Sequence, residues 1–133
     1  MLKKIDHVGV AVKSLDTVKA FYRDVFGLEP VFEEVVEDQK VRVAGFAIGE
    51  STIEYLEPIA ADSPISNFLE KRGEGLHHIA LNVDDVAATL DAMKSAGLRL
   101  IDEAPRTGAE GKQIAFVHPK SANGILMELS QDV

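Results

Sequence analysis

The chain has 133 residues, of which 46% are hydrophobic and 27% charged, a composition typical of one soluble domain with a sizeable core. Its net charge of −8 argues against a nucleic-acid partner, because nucleic-acid binders carry a basic patch or stripe. The absence of cysteine excludes disulfides, and with no apolar run near the roughly 20 residues that cross a bilayer, a cytoplasmic location is expected.

The first part of the chain, about residues 1–62, predicts a β-α-β-β-β module. The alternating run IDHVGVAV (5–12) predicts a strand. A helix over 15–26 follows, with Ser14 as its N-cap and Gly27 at its C-terminal end. Its expected apolar stripe comprises Val18, Phe21, Tyr22 and Val25. Three strand-like runs come next, at 29–36, 40–49 and 51–58.

A second copy of this plan is predicted at about residues 76–133, after a short linker helix at about 63–75. The run LHHIALN (76–82) predicts a strand, and a helix begins after Asp84 or Asp85 and ends at Gly97. The strand-like runs after that helix lie at 98–104, 112–119 and 124–131. Because the repeat spacing is about half the chain length, we expect two modules within a single domain, not an array.

Strand alternation assigns the histidines to faces. His7 shares its face with small residues, and so does His78, which leaves space beside each imidazole. His77 points to the opposite face of its strand and is expected to have a structural role, as is His118.

Each module also carries a glutamate in its last strand, Glu54 in the first and Glu128 in the second. A carboxylate in an apolar strand is costly to bury unless it is paired or coordinates a metal. Two imidazoles and two carboxylates suit a divalent ion such as Co²⁺, Mn²⁺, Ni²⁺ or Zn²⁺. A lone strand histidine or glutamate is more often an ordinary core or surface residue, so the pattern alone leaves both interpretations open.

Three stretches carry a family resemblance: IDHVGVAV, GLHHIALNVDD and HPKSANGILMEL. They resemble the vicinal oxygen chelate superfamily and, within it, the methylmalonyl-CoA epimerases, over nearly the whole chain. The resemblance implies an α+β fold in which two βαβββ modules form a cupped mixed sheet around a metal site. It also implies a homodimer and a divalent metal, cobalt before manganese, nickel or zinc. The implied metal ligands are His7, Glu54, His78 and Glu128.

The activity that this resemblance implies is the interconversion of (2R)- and (2S)-methylmalonyl-CoA by proton abstraction at C2 through a metal-stabilised enolate. Glu128 matches a proposed acid/base of the family. Val43 stands near the place where some bacterial members have a second acid/base glutamate, so Glu54 becomes the candidate for that role. An anionic acyl-CoA substrate needs local cations or exposed N–H groups. The predicted substrate contacts are Gln39, Lys120 and Ser121, with Lys112 as a further cation considered.

Two other functions remain open from the sequence. A glyoxalase I-like lyase would use the same metal and carboxylates on a glutathione hemithioacetal. A non-catalytic protein of the same fold would sequester a ligand, although such a protein has no use for two histidines and two glutamates at one site. A ring-cleaving dioxygenase is less favoured, because it would use iron on a two-His-one-carboxylate set and usually a longer chain.

Overall fold

The computed structural model describes residues 2–133. Over these residues the helices and strands follow the order β-α-β-β-β twice, with one helix between the repeats, as the sequence predicts. An α+β fold is therefore confirmed. In chain order the elements are β1 (Leu2–Ala11), α1 (Leu15–Phe21), β2 (Phe32–Val36), β3 (Val41–Ile48), β4 (Ser51–Pro58), α2 (Pro64–Arg72), β5 (Gly75–Val83), α3 (Val86–Ser95), β6 (Arg106–Thr107), β7 (Gln113–Val117) and β8 (Met127–Gln131).

One compact unit spans residues 8–77. Its strands are ordered β2-β3-β4, followed by the end of β1, and both β2–β3 and β3–β4 are antiparallel pairs. Helix α1 packs on the bulky face of these strands, because the valines of β1 alternate with small residues that face the other way. The buried side chains of this core are Val12, Leu15, Tyr22, Ala44 and Phe46.

The other compact unit combines residues 2–7 with 78–133. Its strand order is β1-β5-β8-β7-β6, in which β5 and β8 run parallel whereas β7 is antiparallel to both of its neighbours. The predicted mixed sheet is therefore present. Helix α3 covers one face, and the buried core there comprises Val83, Val86, Leu90, Ala115, Val117 and Leu129.

The first predicted helix has an α-helical part followed by a wider turn. Ser14 Oγ accepts a hydrogen bond from the Thr17 N–H, as an N-cap should. A π-helical turn follows at Tyr22–Phe26, and Gly27 closes it in the left-handed conformation, with φ of 66°. The predicted stripe is partly wrong, because Phe21 at the edge of the helix face and Val25 within the wider turn are both more than half exposed.

The strand predicted at 98–104 does not form. Only Leu100 makes a bridge, an isolated one with Val117. The N–H groups of Ile101 and Asp102 both donate to the Phe116 carbonyl, at 3.1 Å each, and the Asp102 carboxylate accepts from the Phe116 N–H at 2.8 Å. A side chain thus takes the place of a ladder bond, and the strand in this part of the module is the two-residue β6.

The predicted linker helix is confirmed as α2. Ser63 Oγ accepts from the Ile65 N–H, Pro64 is the first helical residue, and Gly73 ends the helix with a φ of 78°. Within residues 2–133, the helices are all too short or too polar to cross a bilayer. The organisation of both modules as a single domain stays a prediction.

Candidate metal centre

Three of the four predicted metal ligands lie together in the unit formed by residues 2–7 and 78–133. The Nε2 atoms of His7 and His78 are 3.0 Å apart. The Glu128 carboxylate lies 3.5 Å from His7 Nε2 and 3.3 Å from His78 Nε2. All three residues are at least 95% buried. Each contributes one donor atom to a cluster whose members lie within 4.8 Å of one another.

The strand register explains this convergence. In the parallel β5–β8 pair Ala80 lies beside Glu128, so Glu128 shares the face of His78, two residues earlier on β5. Phe116 of β7 is the antiparallel partner of Glu128, and its ring meets the His78 ring edge-on with centroids 5.6 Å apart. Residues that share a face therefore surround the carboxylate with one imidazole and one aromatic ring.

The two other histidines lie elsewhere. The His77 ring meets the ring of Phe68 on α2 edge-on, at a centroid distance of 5.0 Å, in keeping with the opposite face that alternation predicts. Burial, with a smaller effect of the Arg72 charge, lowers the pKa of His77 to about 4, so this ring is neutral near pH 7. His118 Nδ1 accepts the Lys120 N–H and caps a 3₁₀ turn. Both contacts agree with structural roles.

The donor set fits a divalent metal. Two neutral imidazoles and a carboxylate are ligands that borderline divalent ions accept. Two ligand atoms that each lie about 2.1 Å from a metal, with an angle of about 90° between the two bonds, are about 3.0 Å apart. The Nε2 atoms of His7 and His78 have this separation. A proton or a metal ion has to lie between these buried atoms, because lone pairs that face one another without either are unfavourable. The cluster is thus compatible with a divalent metal site.

Behind His7 lies a second charged layer built on Asp6, which is 5% exposed. Its Oδ2 accepts a hydrogen bond from His7 Nδ1 at 2.7 Å, and its Oδ1 lies 3.1 Å from Lys112 Nζ and 3.5 Å from Asn82 Nδ2. Burial raises the pKa of Asp6, but the hydrogen bond from His7 and the charge of Lys112 outweigh it and lower this pKa to about 2. Asp6 is therefore ionised at neutral pH.

Asp6 directly precedes His7 in the sequence, but strand alternation predicts no role for it. From the sequence, Lys112 is a candidate cation for the substrate. Its Nζ atom instead lies 3.1 Å from Asp6 Oδ1 and 3.7 Å from Asp132 Oδ1. Lys112 is 106 residues from Asp6 along the chain, so no local pattern pairs them. The adjacent Asp-His dipeptide was the available signal, because ligating histidines commonly donate their second ring N–H to a carboxylate.

Glu54, the fourth predicted ligand, belongs to the unit of residues 8–77. It is 6% exposed on β4, and its Cα partner on β3 is Gly45. Val43 lies on the same face, is 1% exposed and pairs with Glu34 on β2 as well as with Leu56 on β4. Val43, where the resemblance leads one to expect a second acid/base glutamate, is thus a buried apolar residue of β3.

The predicted substrate contacts lie in turns. Gln39 ends a 3₁₀ turn after β2, where its carbonyl oxygen accepts from Ser63 Oγ at 2.9 Å. The Ser121 hydroxyl donates to the Arg99 carbonyl and accepts the Arg99 N–H, at 2.9 and 2.8 Å. The Lys120 side chain is exposed. Their contacts with substrate stay predictions.

Comparison with known proteins places the chain in a family. A family model described as the Glyoxalase/Bleomycin resistance protein/Dioxygenase superfamily matches residues 6–116. The uncharacterised protein YqjC of Bacillus subtilis is 45% identical, over 98% of this chain and 93% of its own length. An ethylmalonyl-CoA/methylmalonyl-CoA epimerase of Cereibacter sphaeroides is 39% identical, over 98% of this chain and 99% of its own length.

A solved structure is also closely similar. A variant of the Streptomyces coelicolor methylmalonyl-CoA epimerase, in complex with 2-nitronate-propionyl-CoA, superposes with a TM-score of 0.95 at 40% identity. The match covers 100% of this chain and 96% of the other. The chain therefore belongs to the glyoxalase/bleomycin resistance protein/dioxygenase superfamily and, within it, to the methylmalonyl-CoA epimerase family of enzymes.

Proposed function

We propose that this protein is a metal-dependent epimerase that interconverts (2R)- and (2S)-methylmalonyl-CoA. The observation that carries the proposal is the buried cluster of His7, His78 and Glu128, whose donor atoms converge as a metal site requires. Full-length similarity to an epimerase and to an epimerase in complex with an acyl-CoA analogue supports the choice of substrate.

The reaction removes the proton at C2 of the thioester and returns it to the opposite face through an enolate. His7, His78, Glu128 and Glu54 would hold the ion, with Glu54 assigned by its equivalence to Glu128 in the other module. A divalent ion there would act as a Lewis acid and stabilise negative charge on the thioester oxygen. These four side chains are at most 6% exposed, so little water would reach that charge.

Glu128 is the proposed acid/base on one face of C2. Its carboxylate belongs to the cluster, and the residue is 4% exposed. A substrate carbon bound beside the cluster would therefore lie within hydrogen-bond reach of this carboxylate. The second acid/base cannot be Val43, because an alkyl side chain does not transfer protons. We assign this role to Glu54, which lies on the same sheet face as Val43. Its carboxylate can accept and return a proton, whereas the amide of a glutamine ligand at this position could not.

The remaining assignments complete the proposal. Cobalt is the preferred ion, and manganese, nickel and zinc share the same ligand chemistry. Lys120, Gln39 and Ser121 are the proposed contacts of the acyl-CoA, with the exposed Lys120 ammonium best suited to a phosphate. A cytoplasmic homodimer is the expected state, and the exposed side chains of Phe21, Val25 and Phe26 offer apolar surface for a second copy.

The test is a parallel assay with two substrates. Cobalt-loaded protein is offered one methylmalonyl-CoA epimer in deuterium oxide, and separately the hemithioacetal of methylglyoxal and glutathione. We expect interconversion of the epimers with deuterium entering C2, and no lyase activity. Turnover of the hemithioacetal alone would assign the chain to the glyoxalase I reaction. Inactivity on both substrates, with tight binding of a thioester, would favour a ligand-sequestering protein.

A further inference from the structure

We propose that Asp6 is a positioning residue that fixes the tautomer of His7, so that His7 Nε2 carries its lone pair toward the metal. The inference rests on the metal site proposed above and concerns how the chain prepares one of its ligands. It goes beyond the ligand set because Asp6 acts through His7 and takes no part in the chemistry.

The geometry assigns one proton. Asp6 Oδ2 lies 2.7 Å from His7 Nδ1, a short charge-assisted hydrogen bond in which the ring N–H donates to the carboxylate. In a neutral imidazole only one nitrogen carries a proton, so a proton on Nδ1 leaves Nε2 as the nitrogen that carries a lone pair. That Nε2 atom is the one that faces His78 and Glu128, at 3.0 and 3.5 Å.

The chain also holds Asp6 in place and in its charged form. The other carboxylate oxygen, Oδ1, lies 3.1 Å from Lys112 Nζ and 3.5 Å from Asn82 Nδ2. Asp6 is 5% exposed, and a carboxylate so buried is retained only with such partners. Lys112 comes from the segment before β7, so the tautomer of a residue in β1 depends on a cation more than one hundred residues away.

This arrangement has a distinct consequence for the free protein. Without Asp6, the two tautomers of His7 would differ little in energy, and the one with a proton on Nε2 cannot ligate a metal through that nitrogen. An asparagine at position 6 makes matters worse, because its amide N–H₂ can donate to Nδ1 and drive the proton to Nε2. The Asp6→Asn substitution changes charge and donor character while it preserves shape.

The experiment measures the tautomer and the metal affinity separately. Imidazole ¹⁵N chemical shifts of metal-free protein report which nitrogen of His7 is protonated, with the His7 signals assigned by their loss in His7→Gln. Titration with cobalt, followed by its visible absorption, gives the dissociation constant. In the unsubstituted chain we expect Nδ1–H, and in Asp6→Asn a shift toward Nε2–H with cobalt binding weakened about 10- to 100-fold.

Asp132→Asn is the matched control, because it removes a carboxylate 3.7 Å from Lys112 Nζ and leaves Asp6 on His7. It should retain both the tautomer and the affinity. Lys112→Met keeps Asp6 but removes the cation beside it, and it should weaken cobalt binding several-fold. If the Asp6→Asn protein does not fold, Lys112→Met serves as the test in its place.

An unchanged His7 tautomer and unchanged affinity in these variants would overturn the inference. If the unsubstituted protein shows Nδ1–H on His7 yet binds no cobalt, the metal site itself is wrong and the positioning of the ring still stands.

Discussion

Glu128 combines two roles at the residue scale, as a proposed ligand and as an acid/base. We expect Glu128→Gln to lower kcat by about 10²- to 10⁴-fold, because the amide keeps the shape of the side chain but cannot accept the C2 proton. Thioester binding, measured by calorimetry, should change far less. A Glu128→Gln variant with kcat near that of the unsubstituted protein would remove Glu128 as the base.

Glu54 and Glu34 lie on one sheet face, because Glu34 pairs with Val43 of β3 and Glu54 pairs with Gly45, two residues further along β3, and this permits a matched comparison. We expect Glu54→Gln to keep the exchange of the C2 proton of one epimer with solvent while it loses interconversion of the two epimers, since the second face then lacks its acid/base. Glu34→Gln should retain both reactions. The reverse outcome would transfer the second acid/base role to Glu34.

His77 and His78 are neighbours in sequence that point to opposite faces. We expect His78→Ala to lose metal, because it removes a converging Nε2 atom. His77→Ala should keep the metal and lower the unfolding free energy by about 1 kcal/mol, because it removes the contact with Phe68. Metal content by mass spectrometry and urea denaturation measure the two effects. Metal loss from His77→Ala instead would mean that the faces are assigned the wrong way round.

For single residues, the sequence predicts a role where the two-residue alternation of a strand decides which face a side chain occupies. Alternation places His7 and His78 among small residues, and a glutamate between two apolar neighbours marks Glu128 as unusual. The ion pair of Asp6 and Lys112 could not be predicted in this way, because the two residues are 106 positions apart and come into contact only in the folded chain.

At the scale of elements, caps and periods predict most boundaries, and exceptions have local causes. Ser14, Ser63 and Asp85 cap the three α-helices through side-chain oxygens, as polar residues before apolar runs suggest. The π-helical turn after α1 breaks the 3.6-residue period on which the predicted stripe relied. The segment at 98–104 has a strand-like composition, yet the Asp102 side chain takes the Phe116 N–H that a ladder would need.

The packing of the π-helical turn after α1 on β4 makes a pH-dependent contribution through Tyr55, whose hydroxyl lies 2.7 Å from that of Tyr22. Burial, and then the hydrogen bond with Tyr22, raise the pKa of Tyr55 above its ordinary value of 10.0. Above that pH the unfolded chain releases the proton before the folded chain does, so the folded state loses stability as pH rises, by at most about 1.4 kcal/mol per pH unit.

The corresponding measurement is urea denaturation from about pH 9 to about pH 11. The free energy of unfolding should fall more steeply for the unsubstituted chain than for Tyr55→Phe, which has no proton to lose at this position. The chain contains only two tyrosines, so tyrosinate absorbance follows the titration directly. Equal slopes for the two proteins would show that Tyr55 does not couple the contact of this turn with β4 to pH.

At the scale of the whole molecule, the duplicated plan predicts the architecture because each module repeats the same order of strand, helix and three strands. The repeat also explains why the candidate ligands come as one histidine from a first strand and one glutamate from a last strand. The identity of the substrate is not encoded in that plan. It enters through full-length similarity to epimerases.

The centre of the proposed function is one divalent ion, for which both modules are proposed to supply ligands. The most direct measurement is anomalous diffraction at the cobalt edge from crystals grown with cobalt and an acyl-CoA analogue. We expect a single strong peak about 2.0–2.2 Å from Nε2 of His7 and His78 and from a carboxylate oxygen of Glu128 and Glu54, with the thioester beside it. A peak on other residues, or an ordered analogue at this cluster with no metal, would contradict the account.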